Sequence, residues 1–150
     1  SPIPLPRKES VTVRFSPSCN LGVMIGCFIF PLEMTPKTVP FWDPHVDSWP
    51  KGVSIPPFSV IGCYSGYCYT CSNPSSTVQC DSKRDLSTDA NHYDVKYEQG
   101  NVTFFKDEKA HCTGVIDAEW VFDNIKDPVL CFAAAITVQS TSIKVLPFIK

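Results

Sequence analysis

The sequence has few clustered positive charges. Its 13 basic and 15 acidic residues give a formal net charge of −2 and a pI near 5.8. Adjacent basic residues occur only as the pairs Arg7-Lys8 and Lys83-Arg84. A protein that binds the phosphate backbone of nucleic acid needs a concentrated basic surface. The composition therefore argues against nucleic acid as a partner.

Apolar runs of membrane length are also missing. The longest, Leu21–Leu32 and Val129–Val138, are shorter than the roughly 20 residues of a membrane-spanning helix. We interpret them as buried strands and expect no membrane span. The G-x-S-x-G nucleophile motif and a Gly-rich phosphate loop are absent as well. These absences exclude two common catalytic arrangements.

Strand-length patterns dominate what is present. Ser10–Phe15 alternates apolar and polar residues, and Gly22–Phe30 is apolar on both faces, as in a central strand covered on both sides. Asp117–Ile125 has some helical character, but its β-branched and aromatic neighbours favour a strand. We predict an all-β sandwich or barrel of about nine strands. They are Ser10–Phe15, Gly22–Phe30, Phe58–Tyr64, Gly66–Cys71, Tyr93–Tyr97, Asn101–Phe105, Gly114–Phe122, Val129–Val138 and Ser142–Ile149, with a short one at Thr77–Cys80.

The 14 prolines suggest how the chain is organised. Residues 1–9 form a Pro-rich arm, which we expect to be extended, and residues 10–150 form a single β domain. Pro31–Pro57 is too rich in proline for regular structure, which predicts a long ordered loop. We expect Trp42 and Trp49 to pin this loop to the surface.

Eight cysteines, an even number, are spread along the chain. In an oxidising compartment such a set predicts four disulfides and hence a secreted, stapled domain. The single C-x2-C pair, Cys68 and Cys71, lacks both the second pair typical of zinc sites and the helix start of a redox site. We therefore expect no bound metal and no cofactor. Pairings are expected within two sets: Cys63, Cys68, Cys71 and Cys80, and Cys19, Cys27, Cys112 and Cys131.

Three tyrosines lie on the segment that carries the clustered cysteines. Tyr64, Tyr67 and Tyr69 fall on a predicted hairpin whose turn is the Ser65-Gly66 step. A rigid aromatic patch loses little entropy when it binds a sugar ring or a protein surface. The alternative is that these rings cover a sheet edge or pack on Phe58. The hairpin and the loop with its two tryptophans are the candidate binding surfaces.

Two groups of acidic residues are candidates for chemistry. Asp43, His45 and Asp47 point the same way in an extended chain, where they could hold a cation or stage acid–base chemistry. Asp117 and Glu119 share a face of the predicted strand, as the paired carboxylates of glycoside hydrolysis would. Both patterns have ordinary alternatives. The first group resembles turn-forming residues, and the second resembles the solvated face of a strand.

Asn101-Val-Thr103 is an acceptor sequence for N-glycosylation. A glycan at Asn101 would place the hairpin of Tyr93–Tyr97 and Asn101–Phe105 on the surface. The chain begins Ser-Pro-Ile-Pro, which we expect to be a processed, mature end. Both features favour a secretory route.

In length, cysteine content, all-β pattern and apparent processing, the sequence resembles the small secreted cysteine-rich effectors and elicitors of plant-associated fungi. The resemblance implies an extracellular protein without catalytic residues that acts through recognition by the host. We therefore expect a monomeric, non-enzymatic protein that binds a host protein or a surface glycan. The alternative function is a secreted hydrolase that acts on polysaccharide through paired carboxylates.

Overall fold

The structure is a computed structural model of the 150-residue chain. It describes residues 2–19, 22–34, 56–64, 66–73, 78–81, 91–136 and 141–149. These ranges contain eleven strands, one short α-helix, α1 (Ala118–Asn124), and one 3-10 turn, Leu32–Met34. In chain order, the strands are β1 (Ile3–Pro4), β2 (Val11–Pro17), β3 (Val23–Pro31), β4 (Phe58–Gly62), β5 (Cys68–Cys71), β6 (Gln79–Asp81), β7 (Tyr93–Glu98), β8 (Asn101–Lys106), β9 (Lys109–Val115), β10 (Pro128–Ile136) and β11 (Ile143–Ile149).

The strands form two antiparallel sheets. The six-stranded sheet has the order β1-β10-β3-β4-β5-β6, and the five-stranded sheet has the order β11-β2-β7-β8-β9. Apolar side chains of both sheets share one buried cluster, so the sheets pack face to face. The all-β prediction is confirmed, and the architecture is a sandwich rather than a closed barrel. Its described residues contain eleven strands instead of the predicted nine or so.

Strand β3 lies at the centre of the six-stranded sheet, between β10 and β4, as its two apolar faces predict. Ile25 and Ile29 on one face join the cluster between the sheets. Phe28 and Phe30 on the other face join a second cluster, which consists of six-stranded-sheet residues and Val78 beside β6. The Phe28 and Phe58 rings stack in this cluster with centroids 5.6 Å apart. Both faces of β3 are therefore buried.

The predicted hairpin of β7 and β8 is confirmed. Glu98 pairs with Asn101, and the two residues between them adopt left-handed backbone conformations, with φ of 48° at Gln99 and 87° at Gly100. Such a two-residue turn matches the twist of the flanking strands. A Cβ at Gly100 would collide with the Ile116 carbonyl, which explains the glycine.

The segment after β9 is a correction to the sequence analysis. A strand was predicted over Gly114–Phe122, but β9 ends at Val115 and α1 begins at Ala118. Asp117 caps the helix, because its carboxylate accepts a hydrogen bond from the Trp120 N–H at 3.0 Å. Local capping overrides the strand propensity. In the described part of the chain, no helix has the length and apolar character needed to cross a bilayer.

The N-terminal residues lie along the six-stranded sheet. Ile3 and Pro4 pair with β10, and the Leu5 N–H donates to the Pro128 carbonyl at 2.9 Å. The Leu5 side chain is buried in the cluster between the sheets. The Arg7 guanidinium lies 4.0 Å from the centroid of the Phe122 ring, a cation–π contact with α1.

Most of the predicted Pro31–Pro57 loop lies outside the described residues. Pro31 ends β3, and the 3-10 turn Leu32–Met34 follows it. The remaining candidates on this loop, Trp42, Trp49, Asp43, His45 and Asp47, all lie outside the described residues.

Candidate functional site

The hairpin formed by β4, β5 and the turn between them carries the tyrosines. The Gly62 N–H donates to the Tyr67 carbonyl at 2.9 Å, and the Gly66 N–H donates to the Gly62 carbonyl at 2.7 Å. Gly66 has φ of 75°, a conformation that glycine adopts without strain. The predicted hairpin is confirmed, but its turn spans residues 63–66 rather than one Ser65-Gly66 step. Ser65 itself lies outside the described residues.

The three tyrosines differ in exposure. Tyr64 projects from the turn and is 59% exposed. Tyr67 and Tyr69 are half-buried, and Tyr69 packs against the second apolar cluster. Positions 67 and 69 are two apart along an extended chain and flank Cys68, which faces the cluster between the sheets, so both rings point to the outer face of the six-stranded sheet. We call residues 62–69, with these rings, the tyrosine hairpin.

Cys63 ties the tyrosine hairpin to both sheets. Its N–H donates to the Val23 carbonyl at 2.9 Å, and its carbonyl accepts from the Tyr93 hydroxyl at 3.3 Å. Val23 begins β3 of one sheet and Tyr93 begins β7 of the other. Burial raises the pKa of the Cys63 thiol, against smaller opposing effects of Tyr93 and Lys106. The thiol is therefore protonated at neutral pH and packs as an apolar group.

Contacts between residues 66–72 and 111–117 join the two sheets, and we call them the β5–β9 seam. At one end, His111 Nε2 lies 2.8 Å from the Gly66 carbonyl oxygen. The next contact is a disulfide between Cys68 and Cys112. The seam thus begins within the tyrosine hairpin, and the disulfide joins β5 to β9.

The seam continues through small and hydroxylated residues. The Ser59 and Thr70 hydroxyls are buried and lie 2.9 Å apart. Gly114 faces them so closely that a Cβ there would collide with the Thr70 hydroxyl. At the far end, the Ser72 hydroxyl donates to the Val115 carbonyl at 2.7 Å. The Ser72 carbonyl accepts a hydrogen bond from the Asp117 N–H at 3.1 Å.

The disulfide corrects the expected pairing. Cys68 was assigned to one set and Cys112 to the other, but the sandwich brings β5 against β9 and joins them across 44 residues. Of the four expected disulfides, the structure contains this one. The other six cysteines are thiols: Cys19, Cys27, Cys63, Cys71, Cys80 and Cys131.

Strand register explains why two of these thiols remain apart. Cys131, Phe28, Phe58 and Cys71 stand in register on four neighbouring strands. Three strand spacings of about 4.8 Å separate the cysteines by roughly 14 Å, beyond the reach of a disulfide. Burial raises the pKa of both thiols. It also raises the pKa of Cys27 to about 12, so these sulfurs are weak nucleophiles at neutral pH.

Two of the described carboxylates, Asp117 and Asp94, have structural partners. Asp117 accepts the cap hydrogen bond of α1, while Glu119 is exposed on the first turn of that helix. Asp94 accepts two hydrogen bonds from Arg14, at 2.8 and 3.0 Å. The bond to Asp94 raises the pKa of Arg14 further. Among the described residues, no group of three or more His, Cys, Asp or Glu side chains could hold a metal ion.

Asn101 is exposed at the first position of β8. Val102 and Phe104 point into the core, so Asn101 and Thr103 point to the outer face of the five-stranded sheet. The two residues that define the acceptor sequence, Asn101 and Thr103, therefore lie on the same outer face of β8.

The sequence analysis did not identify the seam. His111 was not among the candidate site residues, and Gly114 was expected only as the first residue of the strand Gly114–Phe122. A glycine between a threonine and a valine in a strand is a sign of close backbone approach, and this was the available signal.

No protein-family model and no curated protein match the chain. Solved structures give low similarity. Alginate lyase A1-II′ is 11% identical, with a TM-score of 0.43, and covers 97% of this chain and 65% of its own. The laminarinase catalytic domain of Thermotoga maritima is 8% identical, with a TM-score of 0.44, and covers 99% and 64%. Bacillus licheniformis β-glucanase is 10% identical, with a TM-score of 0.43, and covers 100% and 68%. The chain spans just under two thirds of the length of the first two.

Proposed function

We propose that this chain is a secreted, non-enzymatic protein that binds carbohydrate through the tyrosine hairpin. The observation that carries the proposal is the position of Tyr64. It is 59% exposed and lies between Cys63 and Gly66, whose backbones are both anchored. The chain on either side of Tyr64 is thus held at Cys63 and Gly66 before a ligand arrives. Such preorganisation reduces the entropy cost of binding.

A tyrosine ring suits a sugar chemically. Its face can cover the apolar side of a pyranose, while its hydroxyl exchanges hydrogen bonds with sugar hydroxyls. Tyr67 and Tyr69 extend the aromatic surface along the same hairpin, although each is half-buried.

The size of the exposed aromatic surface favours a sugar over a protein. A stable protein interface buries about 800 Å² on each partner. A single projecting ring supplies a small part of that area, but it is sufficient to stack one sugar unit. Recognition of a protein is therefore the second outcome of the test below.

A non-enzymatic role is supported by how the described polar groups are used. Asp117 caps a helix and Asp94 binds Arg14. Burial keeps the Cys27 and Cys63 thiols protonated. The Cys68–Cys112 disulfide fits an oxidising compartment and supports secretion. Together with the effector-like composition, this leads us to propose that the carbohydrate belongs to a host cell surface.

The proposal is tested by screening the purified chain on arrays of cell-wall and glycoprotein glycans. For a glycan that binds, Tyr64→Ala should raise Kd about tenfold, equivalent to about 1.4 kcal/mol. Tyr64→Phe keeps the ring and should lose less affinity. Leu146→Ala is the matched control, because Leu146 is 54% exposed on β11 of the other sheet.

Equal affinity of the wild type and Tyr64→Ala would remove the hairpin from the recognition surface. An array without any bound glycan, together with Tyr64-dependent capture of a host protein, would replace the sugar by a protein target.

A further inference from the structure

We propose that Asn101 carries an N-linked glycan whose first sugar packs on Val115. The proposal rests on the secretory route of the proposed function, but not on carbohydrate binding by the tyrosine hairpin. It is based on the acceptor sequence Asn101-Val-Thr103 and on the side chains that surround it on the sheet.

The acceptor asparagine is open to modification. It follows directly after the two-residue turn at Gln99 and Gly100, and it is exposed. Thr103, the hydroxyl residue of the motif, lies on the same outer face two positions along β8. Its hydroxyl lies 3.3 Å from that of Thr113 on β9. A glycan at Asn101 would extend over this face without disturbing the core.

Val115 is the apolar neighbour that the glycan would cover. Asn101 and Val115 are direct cross-strand partners, and such pairs have Cβ atoms about 4.5–5.5 Å apart. Val115 is 58% exposed, so its side chain is accessible on the outer face of the sheet. Its backbone is held by the Ser72 hydroxyl at 2.7 Å. The apolar face of N-acetylglucosamine on Asn101 therefore has a fixed surface to pack on.

The residue on the other side of Asn101 is polar. Glu98 is its cross-strand partner on β7 and is also exposed. The carboxylate can accept hydrogen bonds from sugar hydroxyls, while Val115 supplies the apolar contact. The first sugar thus has a polar neighbour in Glu98 and an apolar neighbour in Val115.

The transfer itself is an ordinary substitution at the sugar. A C–N bond forms between C1 of N-acetylglucosamine and Asn101 Nδ2, which gives up one proton. The bond between C1 and a lipid-linked pyrophosphate breaks, and the pyrophosphate leaves with its electron pair. The donor is thus a lipid pyrophosphate oligosaccharide of the secretory pathway. No oxidation or reduction takes place.

The glycan would lie at the end of the sandwich remote from the tyrosine hairpin. The β5–β9 seam begins at Gly66 and His111 and ends at Ser72 and Val115. Val115 lies four residue steps along β9 from His111, which corresponds to roughly 13 Å. The glycan therefore shields the five-stranded sheet and leaves Tyr64 open.

Occupancy is tested by secreting the chain from a eukaryotic cell line behind a cleavable signal and measuring its intact mass. An amidase that releases N-glycans should reduce the mass of the wild type. Thr103→Ser keeps the acceptor sequence and should remain glycosylated, whereas Thr103→Ala should lose the glycan. A secreted wild type whose mass does not change with the amidase would overturn the proposal.

Packing on Val115 is tested by trimming the glycan in two ways. An endoglycosidase that leaves one N-acetylglucosamine should preserve Tm, whereas complete removal should lower it by about 2–4 °C. In Val115→Ser, which is still glycosylated, complete removal should change Tm by less than half as much. An equal Tm loss in both proteins would refute the contact with Val115, while a mass loss would still establish the modification. Loss of sugar binding in Tyr64→Ala is measured separately and bears on neither result.

Discussion

Gly114 of β9 and Thr70 of β5 approach so closely that no side chain fits at Gly114. A Cβ there would collide with the Thr70 hydroxyl and lie 2.5 Å from the Ser59 hydroxyl. At this point of the seam, the two sheets therefore meet over a buried hydrogen-bonded pair, whereas elsewhere they share the apolar cluster between them. This contact lies between the Cys68–Cys112 disulfide and the Ser72 hydrogen bond, so it determines the spacing of the β5–β9 seam.

Gly114→Ala should destabilise the protein by about 1–3 kcal/mol, because the added methyl overpacks the seam. The free energy of unfolding is measured in denaturant, with Lys109→Ala as the exposed control on β9, which should change it by at most about 0.5 kcal/mol. In the Ser59→Ala/Thr70→Ala background, Gly114→Ala should lower the free energy of unfolding by less than it does in the wild type, because both hydroxyls that the methyl would meet are absent. An equal cost in the two backgrounds would contradict the proposed collision.

The hydrogen bond between His111 and Gly66 should hold the turn below Tyr64. His111→Ala removes the donor and should cost about 1 kcal/mol. It should also speed amide hydrogen exchange in the tyrosine hairpin. Exchange is carried out on the intact protein and read by mass spectrometry from the proteolytic fragment that contains residues 62–69. Lys109→Ala, exposed on the same strand, is the control. Unchanged exchange in His111→Ala would show that the turn is held by its other anchors alone.

Titration of the free sulfhydryls tests the number of disulfides directly. In denaturant without reductant, the structure predicts six free sulfhydryls, and full reduction should raise the count to eight. In the native protein, Cys80 should react first because it is exposed, and the buried Cys27 and Cys63 should react last. A count below six would reveal further disulfides, and peptide mapping would identify the pairs.

Alkaline pH should destabilise the fold through its buried acids. Burial raises the pKa of Cys27 from its ordinary value of 9.0 to about 12. A pKa raised on folding gives stability that is complete below about pH 9 and is lost as the pH rises toward 12. One such group contributes a slope of at most about 1.4 kcal/mol per pH unit.

Denaturant unfolding between pH 8 and 11 measures this slope, and Cys27→Ala should make it shallower. The slope should not vanish, because burial also raises the pKa of Tyr97 to about 12. A slope that is identical in the wild type and Cys27→Ala would exclude Cys27 as the titrating group.

Local sequence patterns predicted most of the strands, but they did not predict contacts between residues far apart in the sequence. The alternation of Val13 and Phe15 and the apolar run of β3 are visible within a few residues. The Cys68–Cys112 bond joins strands of different sheets, so its prediction requires the topology. The helix was missed because Asp117 acts through one bond to a backbone N–H, whereas its neighbours favour strands. Tyr64 was named from its sequence context, but the anchors beneath it depend on Val23, Tyr93 and His111 in three other strands.

The remaining question is whether Asp117 is a structural cap or a catalytic acid. As a cap, Asp117→Ala should lower the free energy of unfolding by about 0.5–2 kcal/mol. Asp117→Asn should preserve stability, because asparagine caps helices as well as aspartate does. Glu119→Gln should change the free energy of unfolding little, since Glu119 is exposed on the first turn of α1.

Turnover of cell-wall polysaccharides is then measured for the wild type and for Asp117→Asn/Glu119→Gln. Activity in the wild type that is lost in the double variant at unchanged Tm would favour the hydrolase over the binding protein. The proposed binding function predicts instead that Asp117 affects stability through its cap and that no turnover depends on either carboxylate.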